Sequence, residues 1–169
     1  MENSISGVLT SLVCAVPFII TQCFAQSVAP ASGKAMCSAL APADFNKAGV
    51  QVSRLQNANL DDNRSVYCIY DGDAGKSELD LFYPAGDTPA EAENALKAAQ
   101  GSIGGRFESL HVAGADEATT NAASPNSKDA PSIVVRKGTT VFNISIPHGP
   151  KAQEQLVALS EVILKRLKQ

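Results

Sequence analysis

Tryptophan is absent, and aromatic residues make up only 5% of the 169-residue chain. Burial must therefore come mainly from Ala, Val, Leu and Ile. Positive charge is also scarce: 14 Lys and Arg stand against 17 Asp and Glu, for a net charge of −3. The basic residues are scattered, and the one cluster, Lys165, Arg166 and Lys168, ends a predicted helix, where cations offset the helix dipole. No basic face is formed, which argues against nucleic-acid binding. There is no Cys-x-x-Cys and no Gly-x-Ser-x-Gly, so neither a redox or zinc motif nor a nucleophile elbow is written in the chain. Histidine is limited to His111 and His148, in no metal-ligating spacing. No metal site and no cofactor are expected.

What is present begins with an uncharged stretch from Ile5 to Ala25. Cys23-Phe24-Ala25 puts small residues where a signal peptidase reads, which predicts cleavage before Gln26. The residues ahead of the stretch hold Glu2 and no Lys or Arg, unlike the usual positive start. Two other fates remain open: retention as an anchor, since about 20 apolar residues can span a bilayer, and lipidation at Cys23, which Gln22 fits poorly. The expected organisation is a signal peptide over 1–25, a tether rich in Ala, Ser, Pro and Gly over 26–34, and one domain over 35–169.

Cys14 and Cys23 fall in the removable segment, leaving Cys37 and Cys68 as an even pair in an oxidising compartment. A bridge between them closes a loop of about 30 residues, worth roughly 3–4 kcal/mol on chain-entropy grounds.

Along the domain, Pro42 and Gly49 bracket a short helix. Residues 50–64, with three Asn and two Asp, read as turns. Val66, Cys68 and Tyr70, then Leu79, Leu81 and Tyr83, alternate with polar residues across Asp71-Gly72-Asp73-Ala74-Gly75, the pattern of a hairpin with one wet face. Positions 71–75 open like a calcium loop, but its sixth and twelfth positions hold Lys76 and Phe82, so the hairpin is preferred. Thr88, Pro89 and Glu91 start a helix with a capping box, and Gly101 is expected to end it. Arg106–Val112 reads as a strand. Ala113–Pro131, with no large apolar residue, reads as a long loop whose segment Thr119–Asp129 is expected to be dispensable for folding. A second hairpin covers 132–146, and Ala152, Leu156, Leu159, Ile163 and Leu167 mark a final helix. The prediction is an α+β fold: a curved antiparallel sheet of about five strands with helices on one face, reading as two β-β-α repeats.

The segments Cys37-Ser38-Ala39-Leu40, Pro42-Ala43-Asp44, Cys68-Ile69-Tyr70, Gly114-Ala115-Asp116-Glu117-Ala118 and Ile133-Val134-Val135-Arg136, with a Leu-rich C-terminal helix, resemble a family of bacterial cell-envelope lipoproteins and secreted proteins. That family has a conserved-looking Cys pair and no established activity. Its usual lipobox Cys is lacking here. The resemblance implies a fold and an envelope location, and its Cys pair agrees with the bridge reached from compartment and parity.

With no catalytic grouping in view, the expected role is a monomeric, non-catalytic protein that binds an envelope protein or a small ligand. Asp116 and Glu117, at the start of the long polar stretch, are the candidate binding residues; the structural alternative is that Asp116 caps a turn. The competing expectation is a small envelope hydrolase using His148 with a carboxylate.

Overall fold

The computed structural model describes residues 37, 39–61, 65–82, 85–122 and 129–167. The predicted signal segment and tether lie outside them. Among these described residues three helices, α1 (Pro42–Lys47), α2 (Pro89–Ile103) and α3 (Ala152–Arg166), accompany strands β1 (Arg54–Asp61), β2 (Ser65–Gly72), β3 (Gly75–Phe82), β4 (Glu108–Ser109), β5 (Glu117–Thr120), β6 (Ser132–Lys137) and β7 (Thr140–Ser145). The strands form one antiparallel sheet in the order β1-β2-β3-β7-β6-β5-β4. The α+β class agrees with the sequence pattern, but seven strands replace the expected five.

Both hairpins form where turn chemistry placed them. In the first, Gly72 pairs with Gly75 around Asp73-Ala74. A Cβ on Gly72 would collide with the Gln51 carbonyl, so only glycine lets the chain pass there. In the second, Lys137 pairs with Thr140 around Gly138, which has φ +57°. At the start of α2 the capping box is complete: Glu91 N donates to Thr88 Oγ1 at 3.3 Å, and Thr88 N donates to Glu91 Oε2 at 3.1 Å. The helix runs past Gly101 and stops at Gly104, which takes φ +82°.

The helices do not share a face, contrary to expectation. Val66, Cys68, Tyr70, Leu79, Leu81, Ile133, Val135, Phe142 and Ile144 form the first face, packed with Phe45 of α1 and Leu156, Leu159 and Ile163 of α3. Val134 and Val141 point the other way and pack under Ala92, Leu96 and Ala99 of α2. The consecutive apolar residues Ile133-Val134-Val135 and Val141-Phe142 are the reason, because strands covered on both sides lose strict alternation. β2 and β3 keep alternation, so their second face stays uncovered.

This arrangement also disposes of the two-repeat reading. β3 and β7 meet antiparallel at the centre of the sheet, yet α2 and α3 lie on opposite faces. No rotation relates such units, since an axis normal to the sheet would keep both helices on one face.

The first face is closed at one end by the Cys37–Cys68 disulfide, with Cα atoms 5.8 Å apart. Beside it the buried Tyr70 hydroxyl lies 2.7 Å from the Leu40 carbonyl and 3.1 Å from that of Cys37, and its ring sits 4.6 Å from Phe45. Asp44, 7% exposed, accepts from Arg166 Nη1 at 2.8 Å and Nη2 at 3.1 Å, joining α1 to the end of α3. Arg166 also donates to the Ala39 carbonyl at 2.8 Å. Burial pushes the Asp44 carboxyl up, but the bonds from Arg166 and Ala41 N–H outweigh it and leave it below its ordinary 3.8. Its stabilisation is thus fully present above pH 3.8 and disappears as pH falls through the lower folded-state value. Asp44→Asn is expected to cost about 1–2 kcal/mol at pH 7, with the gap to wild type closing below that range in acid-dependent urea titrations.

Candidate functional site

The step between the covered and uncovered halves of the second face creates a groove. The register of the central strands determines its floor. One row across the sheet reads Ser132, Ser145, Glu78 and Ile69; the next reads Val134, Asn143, Asp80 and Tyr67. Polar residues thus occupy adjoining positions on β2, β3, β7 and β6. Ser102 and Ile103 at the end of α2, Lys76 and Ala130 complete a cavity of ≈ 350 Å³, a size typical of small-molecule sites.

The polar groups are ordered by one another. Asn143, only 5% exposed, donates Nδ2–H to Asp80 Oδ2 at 3.0 Å. Ser132 donates to the Ala130 carbonyl at 2.9 Å, so the 2.8 Å contact between Ser132 and Ser145 hydroxyls is donated by Ser145. The Tyr67 phenol lies beside the Glu78 carboxylate. Burial raises the Asp80 carboxyl above its ordinary range; the Asn143 bond offsets part of that, and the neighbouring Glu78 charge adds to it. Burial likewise raises the Tyr67 phenol, reinforced by the neighbouring Glu78 and Asp80 carboxylates.

The wall is held by a residue that sequence reasoning missed. Asn121, 2% exposed, accepts from Ser132 N at 2.7 Å and donates to the carbonyls of Gly104 at 3.4 Å and Ala130 at 3.3 Å. It ties the end of α2 to the entry of β6. Gln100 of α2 adds a bond to Thr119 Oγ1 at 2.6 Å. The stretch read as a loop is therefore partly structural: β5 pairs with β6, and Thr119 and Thr120 are buried. Deleting 119–129 would remove half of β5 and this anchor, so the expectation that the fold survives it is corrected. Positions 123–128 lie outside the described residues.

Asp116 and Glu117 stand away from the groove. Asp116 Oδ1 accepts from Lys137 Nζ and Oδ2 from Gly138 N, both at 2.7 Å. Arg136 lies 3.8 Å from Asp116 and 3.5 Å from Glu117. Both carboxylates face the β6–β7 hairpin, and the Gly138 N–H and Lys137 hold the Asp116 carboxyl below its ordinary value. This is turn-capping geometry. Asp116→Asn is expected to lower stability by no more than about 1 kcal/mol, because the side chain is partly exposed. That difference should be present in thermal melts above pH 3.8 and fade as pH falls through the folded-state value.

His148 lines a separate hollow of ≈ 260 Å³ with Gly49, Val50, Gln51, Pro147, Lys151 and Gln155 among its neighbours, and no carboxylate lines it. His111 is exposed between β4 and β5 and does not line that hollow. Among the described residues, no group of three or more His, Cys, Asp or Glu is arranged to hold a metal ion. None of the helices among them is long and apolar enough to cross a membrane.

No protein-family model, curated protein or solved structure matches the chain. The disulfide is consistent with a protein that works outside the cytoplasm.

Proposed function

We propose that this is an exported bacterial envelope protein that binds a small ligand without transforming it, and that the groove over β2, β3 and β7 is its binding site. The observation that carries this reading is the Asp80–Asn143 pair. It places a half-buried carboxylate and a buried amide side by side on adjacent central strands at the floor of the groove. Polar groups withdrawn from water at a cost in stability are kept where they serve a site. The groove also rests on strands, which hold side chains more rigidly than loops do. Asp116 and Glu117 are assigned a place beside the β6–β7 turn, and the ligand a place in the groove.

The test is a variant carrying both Asp80→Leu and Asn143→Val, expressed in a strain from which the gene is deleted. Cell fractionation is expected to find wild type and variant alike outside the cytoplasm with the disulfide closed. The variant should fail to restore what the deletion costs the cell. Full restoration by the folded, exported variant would refute the groove as the working site.

A further inference from the structure

The donors and acceptors left over in the groove are unequal, and the inequality selects a ligand class. Resting on the reading of the groove as a binding site, we infer that it takes a small organic cation, a primary amine held as its ammonium between Asp80 and Glu78. Three hydroxyl donors are already spent inside the protein. Ser145 goes to Ser132, Ser132 to Ala130, and Ser102 to the Ala99 carbonyl at 2.8 Å. One amide hydrogen of Asn143 goes to Asp80. What remains toward the cavity is mainly acceptor: Asp80 Oδ1 and Asn143 Oδ1 receive no hydrogen bond from the described residues, and the Glu78 carboxylate lines the same cavity beside the Tyr67 phenol.

Charge gives the same answer. Two carboxylates line the cavity against the single ammonium of Lys76, and no ion pair among the described residues reaches Glu78 or Asp80. Lys76 is exposed and shares its face of β3 with Glu78, two residues on, and with Asp80 two further, so Asp80 is the more remote from its charge. An ammonium brings three N–H donors and one positive charge to a place that offers acceptors and where two carboxylates stand against one cation. An anion would meet two carboxylates, and a neutral polyol would leave the charge of Asp80 uncompensated. Tyr67 and Ile103, on the cavity lining, supply an aromatic ring and an aliphatic contact for the carbon stem of an amine.

The experiment is an amide-resolved NMR titration of the full chain with three probes: 1,4-diaminobutane, myo-inositol and inorganic phosphate. The diamine is expected to shift the amides of Tyr67, Glu78, Asp80 and Asn143 saturably. Asp80→Asn and Glu78→Gln, which keep side-chain size, should each weaken that binding at least tenfold while leaving the rest of the spectrum unchanged. If inositol or phosphate moved those amides and the diamine did not, the cation assignment would be overturned and the groove would stand as a site of another class. If the diamine bound equally well to both variants, or none of the three probes bound, the assignment would be overturned as well. The genetic test of the groove is independent of either result.

Discussion

Replacing Cys37 and Cys68 together by serine is expected to lower the unfolding free energy by roughly 3–4 kcal/mol, the chain entropy released when a loop of this length opens. The bridge spans 31 residues of sequence. It fastens the segment before α1 to β2, and Leu40, Phe45 and the Tyr70 hydroxyl are all buried beside it. For a domain of this size, that loss corresponds to a fall in melting temperature on the order of 10 °C. Wild type unfolded in the presence of a reductant should match the double-serine variant in air, because both lack the same constraint. If the variant melted within about a degree of wild type, the burial around Tyr70, and not the covalent link, would be holding this end of the sheet. Asp44 and Arg166 close the same corner through charge, so removing both devices should cost more at neutral pH than in acid, where the Asp44 contribution is already lost.

The second large effect concerns Asn143 alone. Asn143→Val leaves Asp80 Oδ2 without its donor in a site that already disfavours its charge. The loss should be about 1–2 kcal/mol at pH 7, the cost of leaving a half-buried carboxylate without its donor. The Asp80 carboxyl is shifted in the opposite direction to that of Asp44. The folded-state pKa of Asp80 is raised, so the folded form binds a proton more readily than the unfolded form does. Its penalty is absent below 3.8 and grows as pH rises through the folded-state value. Without the amide, that value moves higher still, because the Asn143 bond is what lowers it. Asn143→Val should therefore be closest to wild type in acid and furthest from it at neutral pH, as read from denaturant midpoints across that range.

How much of this was legible in the residues varies with the reach of each interaction. The start of α2 was plain, since Thr88, Pro89 and Glu91 lie within four positions and bond to one another. So were both hairpins and the stripe of α3. β1 was hidden by a bulge: Leu55 pairs with Tyr70 and Asn57 with Ile69, so Gln56 is an extra residue. That insertion sets Leu55 and Ala58, both packed on the main core, three apart instead of two, and the period of a strand is lost. β5 was hidden because it is short and built of Glu, Ala and Thr, and it is buried by neighbours, not by its own hydrophobicity. The opposite placement of α2 and α3 did have a local sign, the adjacent apolar residues of β6 and β7, but clean alternation elsewhere outweighed it.

The groove itself had no local sign. Asp80 and Asn143 are 63 residues apart and meet only because β3 pairs with β7 in one register. Read singly, each is an ordinary polar residue on a wet strand face. A shift of one position would have sent both into the main core, so the hydrophobic alternation of β3 and β7 indirectly specifies the pair. The candidate residues chosen from sequence, Asp116 and Glu117, were conspicuous because they open a polar stretch, and that visibility came from their role beside the hairpin turn.

The most direct test of the central claim is the unfolding free energy of the variant carrying both Asp80→Leu and Asn143→Val, measured in denaturant beside wild type. If the pair is maintained for binding, replacing both partners by apolar residues removes a half-buried charge and leaves nothing stranded, so stability should equal or exceed that of wild type with an unchanged denaturant slope. A midpoint well below wild type, comparable to that of Asn143→Val alone, would mean that the pair holds the sheet together, and the account of the groove as a ligand site would lose its foundation.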